Sequence, residues 1–328
     1  MNIMNEKIKV IAVTGPTAGG KSALALALAK ELDGEIVSLD SMQIYRGMDI
    51  GTAKPSKEEQ RAVRHHLIDI LDPDECFSAA EYATLAEKAI EDIVARGKTP
   101  IVCGGTGLYL EALRTARHGE SMATDEAFRA EMRALAEREG NDALHARLRE
   151  IDPESADAIH KNNVTRVIRA LEIYHLTGKP KSVFDREAPR ENPRLSVLNL
   201  TLTYLSRELL YNRIDARVEI MMREGLLEET KRLLSAGALK KGSTASAAIG
   251  YKECLGALSG EMTEREAAQA LCLATRHYAK RQITWFSAKE HTPIYADTEG
   301  GMRPFEDVLA EALVAAREFL NNGEKRRM

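Results

Sequence analysis

The stretch "GPTAGGKS", residues 15–22, fits the phosphate-wrapping pattern G-x-x-x-x-G-K-[ST]. A loop of Gly15, Pro16, Thr17, Ala18, Gly19 and Gly20 turns its free backbone N–H groups toward phosphate oxygens, with the positive end of the next helix behind them. Lys21 supplies neutralising charge and Ser22 a hydroxyl for Mg²⁺. ATP or GTP is the obvious ligand of such a loop. A hydrolase or kinase, however, adds a strand-terminal Asp for the metal, and lid arginines or a water-orienting residue. Here the strand that should carry the acid ends in "GGTGLY", residues 104–109, with none. The strand-terminal carboxylate near the loop is Asp40, in "SLDSMQIY". Its spacing leaves a metal ligand, a base acting on a substrate and a plain capping carboxylate all open.

The elements that must hold these residues follow from periodicity. "IKVIAVT" is apolar and β-branched and runs into Gly15, as a buried parallel strand does. Leu24, Leu28 and Leu32 then form one helical stripe. "EIVSL" ends at Asp40 and "TPIVC" at Gly104-Gly105, with a helix over 78–96 between them. Strand–helix alternation predicts an α/β fold, a P-loop NTPase-like parallel sheet flanked by helices, with ligands at the strand carboxyl ends. From about residue 116 the pattern turns helical and charged: residues 124–150 lack any strand signal and residues 152–177 read on as helix. Pro189 and Pro193 punctuate a loop before the strand-like "SVLNLTLTY", 196–204, which can rejoin the sheet. The chain thus divides into a core, 1–117 with 196–328, and a mainly helical insertion, 118–195. Residues 206–235 and 263–291 read as two amphipathic helices, and the basic tail "GEKRRM" as a solvated end.

Composition narrows the class. With 44% hydrophobic and 29% charged residues the chain reads as an ordinary globular protein without a membrane span. "MNIMNEKIKV" lacks the apolar core of a signal peptide, so a cytoplasmic setting is expected. The four cysteines, Cys76, Cys103, Cys254 and Cys272, share no metal-type spacing. His65-His66 with Asp69 could suggest a metal site, but no further ligand is apparent, so packing and strand-end hydrogen bonds are the expected use. A net charge of −4 argues against uniform attraction to nucleic acid, although a local basic groove stays possible.

Several stretches together resemble the tRNA dimethylallyltransferase (tRNA isopentenyltransferase) family. They are "GPTAGGKS", "DSMQIYRGMDIGTAKP", "HHLID", "GGTGLY", "NVTRVIRALEIYHLTGKP", "RIDARVEIMMREGLLEE", "AIGYKE" and "TRHYAKRQITWF". They stand in the family's order across nearly the whole chain. Gly19 replaces a frequent Ser and Ser22 a frequent Thr, and both keep the loop chemistry. The C-terminal zinc finger of many eukaryotic members is not matched, so a bacterial type is expected.

The resemblance implies transfer of the dimethylallyl group of dimethylallyl diphosphate to N6 of the adenosine at tRNA position 37, in tRNAs reading codons that begin with U. The loop 15–22 then holds a leaving diphosphate, with Mg²⁺ on Ser22 and with Arg217 as its arginine. Thr106 is implied to lie near the departing diphosphate and the attacking amine, and Asp40 to be the general base. Contacts to tRNA are implied for Asp40, Ser41, Met42, Gln43, Thr106, Arg129, Thr165, Arg166, Val167, Ile168, Arg169, Ile249, Gly250, Tyr251, Lys252, Lys280, Arg281 and Gln282. Asn163, Arg166 and Arg169 share one slanted helical stripe, for which a salt-bridged face is the plain alternative. Arg276, His277, Lys280 and Arg281 form a second basic cluster, beside Trp285, a residue more often core than stacking platform. The expected partner is a tRNA anticodon stem-loop, gripped by the insertion of a monomeric enzyme. Three other readings differ in what they must explain: a free-nucleotide isopentenyltransferase lacks a use for the insertion, a kinase needs lid arginines, and a binding module leaves Asp40 idle.

Overall fold

The computed structural model describes residues 7–115, 124–187, 191–240 and 242–322. Pro189, the tail 323–328 and the expected start of the insertion at residue 118 lie outside them. The chain forms two compact units, Met1–Arg114 with Asn192–Met328, and Thr115–Glu191.

In the first unit β1 (Ile8–Thr14) leads through the glycine loop into α1 (Lys21–Glu31), then β2 (Gly34–Ser38), α2 (Lys57–Ala62), β3 (His65–His66), α3 (Ala79–Ala95), β4 (Thr99–Cys103) and α4 (Gly107–Thr115). The second unit holds α5 (Glu126–Glu139), α6 (Asn141–Ile151), α7 (Pro153–Ala158), α8 (Val164–Thr177) and α9 (Lys181–Glu187). The chain then returns to the first unit as β5 (Leu195–Thr203), α10 (Arg207–Arg223), α11 (Leu226–Ser235), α12 (Tyr251–Leu258), α13 (Glu264–Ser287), β6 (Thr292–Tyr295), the short pair β7 (Asp297–Thr298) and β8 (Gly301–Met302), and α14 (Phe305–Asn321).

Strands β3-β2-β4-β1-β5-β6 form one sheet, parallel at every pairing. The run read as 196–204 is the strand beside β1, in register from Ile8↔Leu195 to Thr14↔Thr201. Apolar runs buried on both faces are what a parallel sheet demands. On one face Ile11 and Val13 pack against Leu24 and Leu28 of α1 and Val308 and Ala312 of α14. On the other, Val10 and Ala12 meet Tyr82, Ile90 and Ile93 of α3, Leu113 of α4 and Phe286 of α13. Helices α10–α13 enclose a further core around Ile44, Tyr45, Met48 and Tyr251. The second unit has its own, built on Leu135, Leu144, Leu148, Val167 and Leu171.

Three helix expectations need correction. The stretch 206–235 is two helices, because Gly225 sits at φ 99, where only glycine turns without strain. Likewise Gly140, at φ 86, separates α5 from α6. The stretch 152–177 is broken at residues 159–163, and α8 restarts with Asn163 as its N-cap, whose side chain accepts from the Arg166 N–H.

Candidate active site

Backbone hydrogen bonds lock together the carboxyl ends of β1, β2 and β4. Gly104 N–H donates to Val13 O at 3.1 Å, Leu39 N–H to Cys103 O at 2.7 Å, and Thr106 N–H to Leu39 O at 3.2 Å. The glycine loop, Asp40 and the GGTG loop therefore share one rim of the sheet. They open on a cavity of about 260 Å³ whose lining includes Lys21, Ser22, Asp40, Cys103, Arg217 and Tyr278. A second opening, about 390 Å³, runs along residues 18–23 beside Arg213 and Arg217 of α10.

Lys21 Nζ donates to Pro16 O at 2.7 Å, inside the loop it serves. Burial lowers its pKa to about 8; Cys103 and Asp40 oppose the shift and Arg217 adds to it. Burial also lowers the pKa of Arg217, against the pull of Asp40. Both cations thus sit where water solvates them poorly and an anionic ligand would be strongly favoured. Cys103 is the reverse case, its thiol pushed up to about 12 by burial despite Lys21. Asp40 Oδ1 accepts N–H bonds from Met42 at 2.8 Å and Gln43 at 3.3 Å. Those bonds aim the carboxylate and, among the described residues, leave Oδ2 without a hydrogen bond. Thr106 Oγ1 accepts from the Ser41 N–H at 3.1 Å, tying the GGTG loop to the Asp40 loop.

Several residues expected to contact tRNA also hydrogen-bond or pack within the fold, Gln43 and Gln282 while lining the cavity. Gln43 is spent on its own fold, accepting from Ser38 Oγ at 3.1 Å and donating to Thr52 O and Ala53 O at 3.3 Å. Gln282 is buried and joins two loops, accepting from the Thr17 N–H at 2.8 Å and donating to Gly105 O at 3.0 Å. A Cβ on Gly105 would lie 2.0 Å from the Gln282 amide nitrogen, so a larger residue there would displace the Gln282 amide. Tyr251 is fully buried, its hydroxyl donating to Glu229 at 2.6 Å, and Gly250 is buried beside it. Glu229 in turn accepts N–H bonds from Asp49, Ile50 and Gly51. Ile249 is partly buried against the same core. Val167 and Ile168 turn into the core of the second unit, because α8 places them on its apolar stripe.

In that second unit Glu172 is completely buried and both Arg129 and Arg169 close on it. Burial pushes this carboxyl up, but the two arginines and the Asp125 N–H outweigh burial and hold it below the ordinary range. Arg129 and Arg169 are thus each engaged in an ion pair with Glu172. Thr165, Arg166, Lys252, Lys280 and Arg281 are exposed. Arg276 pairs with Asp215 and Lys289 lies over the Trp285 ring, which packs at the edge of the sheet core. His66 bonds Glu35 at 2.7 Å, His65 bonds Val63 O at 2.8 Å, and Asp69 holds Lys54 at 2.5 Å.

Two site residues escaped the sequence reading. Arg213, one turn before Arg217, donates from Nε to Ala18 O at 2.9 Å. Tyr278, one turn before Gln282, lines the cavity, and burial pushes its phenol up to about 12. The signal for each was an i, i+4 repeat next to a motif residue.

Comparison with known proteins places this constellation. The IPP transferase family model matches residues 43–289. The tRNA dimethylallyltransferase of Caldanaerobacter subterraneus is 47% identical over 282 residues, 86% of this chain and 89% of the relative. Among solved structures, the full-length tRNA isopentenylpyrophosphate transferase of Bacillus halodurans aligns with 98% of this chain and 100% of its own, at 40% identity and a TM-score of 0.69. A eukaryotic dimethylallyltransferase acting on tRNA aligns at a TM-score of 0.80 and 30% identity, covering 96% of this chain and 80% of that one. A phosphate loop that opens on Asp40 and the GGTG turn, in a chain matched this widely, belongs to the IPP transferase family.

Proposed function

We propose that this chain transfers the dimethylallyl group of dimethylallyl diphosphate to N6 of adenosine 37 in tRNAs reading UNN codons, releasing diphosphate. The observation that carries the reading is one cavity in which poorly solvated Lys21 and Arg217 meet a carboxylate, Asp40, aimed by two backbone N–H groups. Breaking the allylic C–O bond puts negative charge on the diphosphate. The loop N–H groups, Lys21 and Arg217 receive that charge without rearranging. The adenine amine attacks the allylic carbon, and Asp40 takes the proton it sheds. Thr106, tied to the Asp40 loop through the Ser41 N–H, is assigned to the same site. A base stacked in an anticodon loop cannot enter such a cavity, so the adenosine is flipped out to reach it.

Among the described residues no group of three or more His, Cys, Asp or Glu side chains could hold a metal. Mg²⁺ suits such a site, since it takes few protein ligands and keeps substrate phosphates and water. The Ser22 hydroxyl, exposed at the start of α1, is the residue that would hold it; when bound, Mg²⁺ neutralises part of the leaving-group charge. Thr165 and Arg166 on the insertion, and Lys252, Lys280 and Arg281 on the core, are the exposed groups suited to RNA backbone and loop contacts. Val167, Ile168, Tyr251 and Gln282 support these surfaces from within. We propose a monomer working in the cytoplasm.

The test is to give the protein and Mg²⁺ labelled dimethylallyl diphosphate with unmodified tRNA or AMP, and in parallel labelled ATP. Label should move from dimethylallyl diphosphate to tRNA; label reaching only AMP, or coming only from ATP, sinks the reading. Asp40→Ala should lower kcat by about 10²–10⁴-fold while tRNA affinity stays within about threefold. A collapse of tRNA affinity instead would make Asp40 a recognition residue.

A further inference from the structure

The phosphate loop is held from behind as well as by its own turn. Strand β5 runs beside β1 as far as Thr14↔Thr201 and continues past it. Gly15 therefore lies against Leu202, where a Cβ would come 2.5 Å from the Leu202 O. Two residues on, the Tyr204 hydroxyl donates to Gly19 O at 3.0 Å. Arg213 Nε takes the neighbouring Ala18 O at 2.9 Å. The tyrosine is itself fixed. Its ring and Ala18 pack against the same small core of Leu210, Ile214 and Ala279. Just after it, buried Asp297 accepts the Leu205 and Ser206 N–H groups, each at 2.8 Å.

In a trans peptide the carbonyl and the N–H that follows it point to opposite sides of the chain. Turning Gly19 O toward Tyr204 therefore turns the Gly20 N–H away from it. Among the described residues that N–H makes no hydrogen bond, whereas the Gly19 N–H closes the turn on Pro16 O at 3.1 Å. The opening of about 390 Å³ is lined by Gly19, Gly20 and Lys21, and among the described residues Tyr204 takes no part in its lining. The carbonyl is thus gripped on the closed side of the loop and the N–H left for the open one. Ala18 at φ 58 and Gly20 at φ 94 place two left-handed residues in this short turn, a conformation that Ala18 does not favour by itself. A grip on the carbonyls between them opposes its relaxation.

We infer that Tyr204 is a positioning residue of the phosphate loop, whose hydroxyl holds the Gly19–Gly20 peptide with its N–H turned toward the anion before any ligand arrives. The inference rests on the proposed transfer in taking that anion to be a diphosphate, and adds what keeps the loop ready for it. A donor already in place as charge develops stabilises a leaving group without the cost of reorganising. Burial raises the Tyr204 phenol above its ordinary range, so the hydrogen it donates is kept at any working pH.

Calorimetry on the full chain measures binding of inorganic diphosphate with Mg²⁺, and hydrogen exchange follows residues 15–22 in the free protein. Tyr204→Phe keeps the ring and removes the bond. It should weaken diphosphate binding about five- to tenfold and speed exchange at the Gly19 N–H, whose bond to Pro16 O closes the turn. Affinity for an unmodified anticodon stem-loop RNA should stay within about twofold, and the melting temperature within about 3 °C. Unchanged diphosphate binding overturns the positioning role. Weakened binding with unchanged exchange overturns it as well, because the hydroxyl would then be touching the ligand itself. A loss of RNA affinity, or a larger fall in melting temperature, makes Tyr204 a general packing residue and overturns it too. Wild-type protein that binds diphosphate yet transfers no dimethylallyl group to the RNA counts against the proposed function alone.

Discussion

At the scale of single residues, Lys21 carries a cost that its function explains. A lysine whose folded pKa lies at about 8 instead of 10.5 binds fewer protons folded than unfolded between those values. Its contribution to stability is therefore unfavourable at neutral pH and improves as pH rises through that window. Lys21→Met should stabilise the protein at pH 7 by about 1–3 kcal/mol in a denaturant melt while lowering kcat/KM at least about 100-fold. In the wild type, KM for dimethylallyl diphosphate should climb as pH passes 8 and Lys21 loses its charge. A flat profile, or a variant no more stable than wild type, would contradict the assignment. The phosphate loop around Lys21 was legible because it is one contiguous motif, whereas the roles given to Asp40 and Thr106 came from the family resemblance. The inward roles of Gln282 and Gln43 were not legible. Gln282 meets Thr17 across 265 residues, and which face of α13 turns inward is decided by packing, not by residue type.

At the scale of elements, Glu35 of β2 joins three segments through a single carboxylate. Arg96, at the end of α3, grips it with Nε at 3.0 Å and Nη2 at 2.7 Å, and His66 of β3 bonds it at 2.7 Å. The Arg96 hydrogen bond outweighs burial, and with His66 it holds the Glu35 carboxyl at about 2. A depressed carboxylate stabilises the fold above its unfolded pKa and loses that contribution as pH falls toward the folded one. Glu35→Gln should therefore cost about 1–2 kcal/mol at pH 7, discounting for the partly exposed arginine, and should flatten the loss of stability between pH 4.5 and 2. Equal acid sensitivity in variant and wild type would remove Glu35 from that account. The strands were legible here because buried parallel strands are short apolar runs with little to imitate them. Helix ends were less so: the apolar period continues across Gly140 and Gly225, and a periodic pattern does not register a single residue at positive φ. Nor does spacing alone show that Arg129 and Arg169 are spent on Glu172, a buried acid that would be left unpaired without them.

At the scale of the whole molecule, a net charge of −4 hides an uneven distribution of cations. The groups best placed to meet RNA lie in both units, while the phosphate chemistry belongs to the first alone. Replacing Thr115–Glu191 by a short Gly/Ser linker should leave a cooperatively melting protein that binds dimethylallyl diphosphate within about threefold. Its affinity for the anticodon stem-loop should fall at least about tenfold, with a shallower dependence on salt. An unfolded product would mean that the sheet unit needs the insertion to close its core. The two-unit organisation was visible as a change of periodicity near residue 116, but the boundary itself was not, since helix runs through it in α4. That boundary is closed by the Asn192 N–H donating to Arg114 O at 2.5 Å. The chain thus leaves the sheet unit and comes back to it at neighbouring residues, where Asn192 Nδ2 also donates to Leu113 O at 2.9 Å. A lineage can lengthen, recharge or exchange what lies between those two residues while the strands keep their register. Acceptor preference is thus free to drift without disturbing the chemistry.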